Sequence, residues 1–223
     1  MDWYPLFNSI RIAAISTLTV VILGTLAAYR IARLPRLAKG VLDVILTLPL
    51  VLPPTVIGYL LLCLLGPKHP VGAWFLQTFG VKLVMQWWSG IFAAVVVAFP
   101  LLYRTMRSGF ESFDETLADA ARTVGLSDGF IFFRIRLPAC RQAILAGTVL
   151  AFARALGEYG ATSMLAGYLP GRTATVSTTV YQLWRIGDDG LALRWVLVNL
   201  AISAAVLLAV NLLEKREARH AAR

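Results

Sequence analysis

The chain has 223 residues, of which 58% are hydrophobic and only 15% charged, with a mean hydropathy of +0.72. A soluble domain carries roughly 25% charged residues, so this sequence lacks the polar surface needed to coat a water-exposed globule; an all-α integral membrane protein is expected. The net charge of +9 raises a nucleic-acid reading, but the basic residues are distributed as membrane topology requires.

A spanning helix needs about 20 mainly apolar residues, and five stretches qualify. The first is predicted at about 7–29, with Asp2, Trp3 and Tyr4 before it. The second, about 41–65, carries Pro49, Pro53 and Pro54 and is expected to be kinked. Freed carbonyls are tolerated where backbone lines a cavity or is covered by neighbouring helices, so the prolines suit either a passage lining or simple packing. A polar stretch from Gly66 leads to Trp87 and Trp88, interface anchors by type. The third span is predicted at about 88–106, the fourth at about 141–165 and the fifth at about 192–213. Residues 107–140 are too charged to cross the bilayer. A Gly/Thr-rich segment, Gly167 to Gly190, precedes the fifth span. The whole chain, 1–223, reads as a single transmembrane domain without visible internal repeats.

Basic residues follow the first span (Arg30, Arg33, Arg36, Lys39), fill the central loop (Arg104 to Arg141) and close the chain (Lys215, Arg216, Arg219, Arg223). With five spans all three groups share one side, which the positive-inside rule makes cytoplasmic. The N-terminus is then outside and the C-terminus inside. No cleavable leader is expected, since the first apolar run is long enough to stay in the membrane, and no regulatory domain is expected after the short basic tail. Cys63 and Cys140 have neither metal-site nor redox spacing. No Gly-x-x-x-x-Gly-Lys-[Ser/Thr] run occurs, so nucleotide hydrolysis on this chain is not expected. No cofactor or metal is expected either.

The central loop carries the mechanism. Residues about 112–124 favour a short helix, with Asp114 as N-cap, Glu115 in the first turn and Gly125 as the stop. A second helix is expected to start at Ser127 or Asp128 and to stop near Pro138. Ala118, Ala120, Ala121 and Gly125 are expected to form a small-residue surface that another protein can approach closely, with Asp119 and Arg122 at its rim. On these residues alone, an ordinary connecting loop is an equal reading. The run Asp119-Ala120-Ala121, three residues, Gly125, nine residues, Ile135-Arg136-Leu137-Pro138 resembles the EAA loop of ABC importer membrane subunits, with every interval intact and Asp119 in place of the family's Glu. The resemblance implies a type I importer permease fold whose coupling helix docks in a cleft of a cytoplasmic ABC ATPase. Asp119, Ala120, Ala121, Gly125, Ile135, Leu137 and Pro138 are then the ATPase-coupling residues.

Two further runs, Leu48 to Tyr59 with its Leu-Pro-Pro core and Phe152 to Thr162 with Gly157-Glu158-Tyr159-Gly160, resemble molybdate importer permeases. So does Leu169-Pro170-Gly171-Arg172-Thr173. Sulfate/thiosulfate and tungstate permeases share much of this pattern, and tungstate is not separable from molybdate. Within these runs Pro53, Pro54, Thr55, Arg154, Glu158 and Tyr159 are the expected pathway or gate residues. Arg154 and Glu158, four apart, share a helix face. Ionisable groups in a span mark a pathway or a paired network. An intrahelical salt bridge and oxyanion contact stay open for the pair, Glu158 being read as gate or structural because a carboxylate repels a dianion.

The resemblance further implies a homodimer of permease subunits in the plasma membrane, contacts with lipid, an extracytoplasmic oxyanion-binding protein and no nucleic-acid partner. Rival readings are an ATP-independent secondary transporter and a membrane scaffold; the loop separates the first reading from both.

Overall fold

The computed structural model of the chain describes residues 2–221, with side chains through Leu208, so the basic tail Lys215, Arg216, Arg219 and Arg223 lies outside the described side chains. All regular structure among the described residues is helical. Helix α1 (Tyr4–Ala32) starts on Pro5, whose missing N–H falls where no intrahelical partner exists. At 29 residues it is about 43 Å long and outruns the predicted span at both ends.

Packing of α1 against two later helices builds the core. Ala13 of α1, Ala94 and Ala98 of α5 (Ser89–Glu111) and Ala151 of α9 (Arg141–Leu156) are all fully buried. Small side chains let membrane helices approach closely, and Leu102 packs over Gly24, where an added Cβ would lie 2.6 Å from its methyl. Helix α5 continues through Glu111, carrying the third span into what reads as loop. The long C-terminal helix α12 (Asp189–Ala221) buries only 11% of its most apolar window, against 44% and 56% for α1 and α5. It flanks the bundle without entering it.

The second and fourth predicted spans are not single helices. The second divides into α2 (Arg36–Thr47), a 3-10 turn (Leu48–Leu50) and α3 (Pro54–Leu65), and the chain bends by 107° between the halves. Proline disfavours helical backbone in the residue before it. Pro53 holds extended backbone (ψ 136°) and Pro54 becomes the first residue of a new helix. The prolines therefore start a helix where a kink was expected. The fourth span breaks after Leu156, crosses Gly157–Tyr159 and resumes as α10 (Gly160–Leu165). Three described helices are long and apolar enough to cross a bilayer unaided, and up to five cross when each bent pair counts once. One such pair joins residues 128–139 to α9 at 72°, a division the sequence reading placed elsewhere.

Two helices lie where none was predicted. Helix α4 (Pro70–Phe79) occupies the stretch read as polar and ends on Gly80 at φ +67°. Helix α11 (Val176–Arg185) rises from the Gly/Thr-rich segment, opened by a Thr175–Thr178 capping box. Its Val176, Val180 and Leu183 pack with Leu6 of α1 and Ala192 and Trp195 of α12. Asn8 donates to the carbonyls of Thr173 and Ala174, and Ser9 accepts from the Val176 N–H. The start of α1 thus clamps the approach to α11.

Candidate functional site

The central loop forms as expected at its beginning. Helix α6 (Glu115–Thr123) is capped by Asp114, whose carboxylate accepts from Thr116 N–H at 3.0 Å and Thr116 Oγ1 at 2.7 Å. Those bonds hold the Asp114 carboxyl below its ordinary pKa. Gly125 turns the chain at φ +87°, a left-handed conformation that glycine adopts without a Cβ penalty. Ser127 then caps α7 (Asp128–Ile131), accepting from the Phe130 N–H.

The second helix ends near Pro138 as expected, but it is not a plain α-helix. A π turn (Phe132–Arg136) precedes α8 (Leu137–Ala139), with Leu137 N–H reaching back to the Phe132 carbonyl, and the helix ends at Cys140. The widened turn absorbs the hydrogen bond that Pro138 cannot donate. Half of the expected small-residue surface is open: Ala120 and Gly125 are exposed, whereas Ala118 and Ala121 are buried against Ile131, beside Phe113 and Ile135, and seat α6 on α7. Leu117, Phe130, Phe133 (65% exposed) and Val124 (80% exposed) add large apolar side chains to the exposed part of the loop.

Asp119 and Arg122 are not free rim charges. Arg122 Nη1 donates to Asp119 at 2.6 Å and Nε to Asp128 at 3.2 Å, clasping α6 to α7 across the Gly125 turn. Deeper in, Arg136 is almost fully buried and pairs in a two-pronged fork with Glu115. Its guanidinium lies 4.9 Å over the Phe113 ring and 5.9 Å over Tyr29 of α1. Arg136 lowers the Glu115 pKa chiefly through that hydrogen bond. Tyr29 also stacks on Phe132 at 4.4 Å and meets Phe110 at 5.6 Å. Arg136 is thus the post on which the loop is joined to α1 and α5. The Ile-x-Leu-Pro pattern carries it as the unspecified residue, and with Arg134 two residues earlier in the same apolar run nothing in the sequence singled it out.

A second ionic cluster went unforeseen because its members are 60 and more residues apart in sequence. Asp43 of α2 accepts from Tyr103 and Arg107 of α5, and Lys39 pairs with Glu111 at 2.9 Å. Helix α2 has no buried residue, so these pairs, with the half-buried Leu42 and Leu46, hold it to the bundle.

The residues predicted for the pathway come together at the two helix breaks. An added Cβ on Gly160 would lie 2.9 Å from Pro54 Cβ and 3.1 Å from Thr55 N, and one on Gly58 would lie 2.8 Å from Ala161 Cα. The Leu-Pro-Pro run and the Gly-Glu-Tyr-Gly run therefore touch, backbone on backbone. Glu158 is 3% exposed. One of its oxygens accepts from Arg154 Nη1 at 2.6 Å, and the other accepts from the Ala161 N–H at 2.7 Å. It caps the start of α10 and pairs with the last turn of α9, so the pair straddles the break where one continuous helix was expected. Tyr159 stacks on Tyr181 of α11 at 5.2 Å. Since α9 has 16 residues, this break lies about 24 Å along the helix from the central loop. Among the described residues no three His, Cys, Asp or Glu side chains converge as metal ligands do.

Comparison with known proteins places this geometry. Residues 20–219 match the family described as binding-protein-dependent transport system inner membrane component. The chain is 36% identical to the molybdenum transport system permease protein of Escherichia coli (strain K12), over 93% of this chain and 91% of that protein. It is 37% identical to the corresponding permease of Haemophilus influenzae, with the same coverage. Among solved structures, a bacterial alginate ABC transporter in complex with a periplasmic protein superposes with a TM-score of 0.76 at 19% identity, covering 96% of this chain and 78% of that one. The inward-facing MetNI methionine ABC transporter superposes with a TM-score of 0.73 at 12% identity, covering 95% and 94%. These two likenesses define the fold.

Proposed function

The chain belongs to the family of inner membrane components of binding-protein-dependent transport systems, and from that premise we propose that it is the membrane-spanning subunit of an ATP-driven importer of molybdate. The observation that carries the reading is the central loop: a capped helix, a left-handed glycine turn and a second helix present exposed Leu117, Val124, Phe130 and Phe133 on a rigid base. Molybdate comes from the relatives' names together with the Leu-Pro-Pro and Gly-Glu-Tyr-Gly runs; tungstate has nearly the same size and charge and is carried too.

In this reading a separate cytoplasmic ATPase subunit hydrolyses ATP. Asp119, Ala120, Ala121, Gly125, Ile135, Leu137 and Pro138 belong to the element that docks on it. Ala121 and Ile135 act from within, by seating α6 on α7, and Asp119 acts through its bond to Arg122. Movement of the docked loop reaches α1 and α5 through Arg136, Phe132 and Tyr29, which link the loop to both helices. The helix breaks at Pro53–Pro54 and Gly157–Tyr159 are the hinges, with Thr55 and Tyr159 beside the passage. Arg154 and Glu158 neutralise one another and lock the second hinge. Two copies pair around one passage, with five spans each, the N-terminus outside and the C-terminus inside the plasma membrane. A binding protein delivers the oxyanion from outside.

Proteoliposomes carrying this chain with its ATPase and an oxyanion-loaded binding protein test the proposal. ATP-dependent molybdate accumulation is expected, displaced by tungstate and not by equimolar sulfate. Uptake that proceeds without ATP, or equal displacement by sulfate, refutes it.

A further inference from the structure

We propose that Arg185, presented with the hydroxyls of Tyr181 and Tyr159, is the contact that receives the oxyanion at the entrance to the passage. The inference rests on the importer reading and names a residue no motif carries. Arg154, the cation foreseen for an electrostatic role, is already neutralised by Glu158 at 2.6 Å. A dianion approaching that break finds no net attraction there. Arg185 differs: among the described residues its guanidinium has no carboxylate within salt-bridge distance, and its aromatic contact is the Tyr181 ring at 6.0 Å.

The geometry ties this cation to the hinge. Helix α11 turns Val176, Val180 and Leu183 onto α1 and α12 and leaves Tyr181, Trp184 and Arg185 exposed. From that exposed face Tyr181 meets Tyr159 at 5.2 Å, and Trp184 meets Tyr181 at 5.8 Å. Tyr159 directly follows Glu158 and is the N-cap of α10. A run of aromatic contacts therefore leads from an uncompensated guanidinium to the broken helix. The helix bearing them is fixed at its start by Asn8, Ser9 and the Thr175–Thr178 box, so the face has a defined direction.

The chemistry suits a tetrahedral dianion. A guanidinium offers planar paired donors that match two oxygens at once, and the Tyr159 and Tyr181 hydroxyls, which bond to one another, add one free donor between them and no negative charge. The site is open, which suits a transient contact between binding protein and passage. A charge-assisted contact of this kind favours the transferred anion by roughly 10-fold or more over the same site without it.

The test uses the full transporter in proteoliposomes, with its ATPase and the molybdate-loaded binding protein. Arg185→Gln is expected to cut uptake about 10-fold, with ATPase stimulation by the binding protein within about two-fold of wild type. Arg185→Lys is expected to retain at least about a third of uptake, because it keeps the charge and loses the paired donors. Tyr181→Phe, which removes a single donor and preserves packing, is expected to give an intermediate loss. Wild-type uptake by Arg185→Gln overturns the proposal. Loss of ATPase stimulation along with uptake also overturns it, because Arg185 then serves the binding protein's docking. Absence of molybdate uptake by the wild-type complex counts against the importer reading instead.

Discussion

Glu158→Gln separates a structural lock from an anion contact. The substitution keeps the oxygen that accepts from the Ala161 N–H at 2.7 Å and removes the charge facing Arg154 at 2.6 Å. Stripping one member from a buried ion pair costs about 3–5 kcal/mol. Arg154 retains 29% of its side-chain surface against 1% for Glu158, and partial solvation of the guanidinium reduces the expected loss to about 2–3 kcal/mol. For a chain of this length each kcal/mol moves the melting temperature by about 2–4 °C, which gives a fall of about 4–12 °C. Arg154→Met is expected to be worse, because it leaves the more deeply buried carboxylate alone. The double variant Arg154→Met/Glu158→Gln leaves no unpaired charge and is expected to recover at least half of the summed loss, a coupling of about 2 kcal/mol or more. Melting of the detergent-purified chain can be followed with a thiol-reactive dye, since Cys140 is buried. A Glu158→Gln protein that melts within about 1 °C of wild type yet fails to transport would refute the lock and return the pair to the passage.

The loop and the glycine contact give three further expectations. Gly125→Val forces a branched side chain into φ +87° at a cost of about 1–2 kcal/mol. An added Cβ meets nothing within 4 Å, so the protein is expected to stay in the membrane while ATP hydrolysis uncouples from uptake; unchanged uptake rejects the coupling role. Gly58→Ala drives a Cβ to 2.8 Å from Ala161 Cα and is expected to destabilise by about 1–3 kcal/mol, read as a lowered melting temperature, with no loss meaning that the helices part freely. The Glu115 pKa is depressed by Arg136 in the folded chain. Its contribution is therefore complete above the ordinary glutamate value and is lost as pH falls through the folded value. Amide-exchange protection of α6, corrected for intrinsic rates, is expected to be flat from pH 8 to 5.5 and to drop below 4.5; Glu115→Gln is expected to remove that drop.

Much of this molecule was legible because local chemistry dictated it. Asp114, Gly125 and Ser127 act on backbone within a few residues, so caps and turn could be read in order. The broken spans were half legible. Proline and glycine announced irregular backbone, but whether Pro53–Pro54 bends a helix or begins another depends on what receives the freed ends. Here the receiver is Gly160, a hundred residues on. The ionic posts were invisible for the same reason. Asp43 with Arg107 and Glu115 with Arg136 are read as scattered charges until the fold brings them together. Ala118 and Ala121 misled because a small residue looks alike whether it faces a partner chain or its own neighbour. Helix α11 was missed because its Thr-rich start suggests a loop until the capping box is seen.

The contact between Gly58 and Ala161 has a consequence for how the chain is made. At roughly 5–20 residues per second, α10 leaves the ribosome about 5–20 s after α3. Helix α5 reaches part of this segment first, but until α10 arrives Pro54 lacks its contact with Gly160 and the Gly58 face stands open. The membrane-insertion machinery must therefore shelter an unfinished half-helix until its mate arrives. Substitutions at Gly58 and Gly160 should lower the yield of inserted protein as well as the stability of what is inserted.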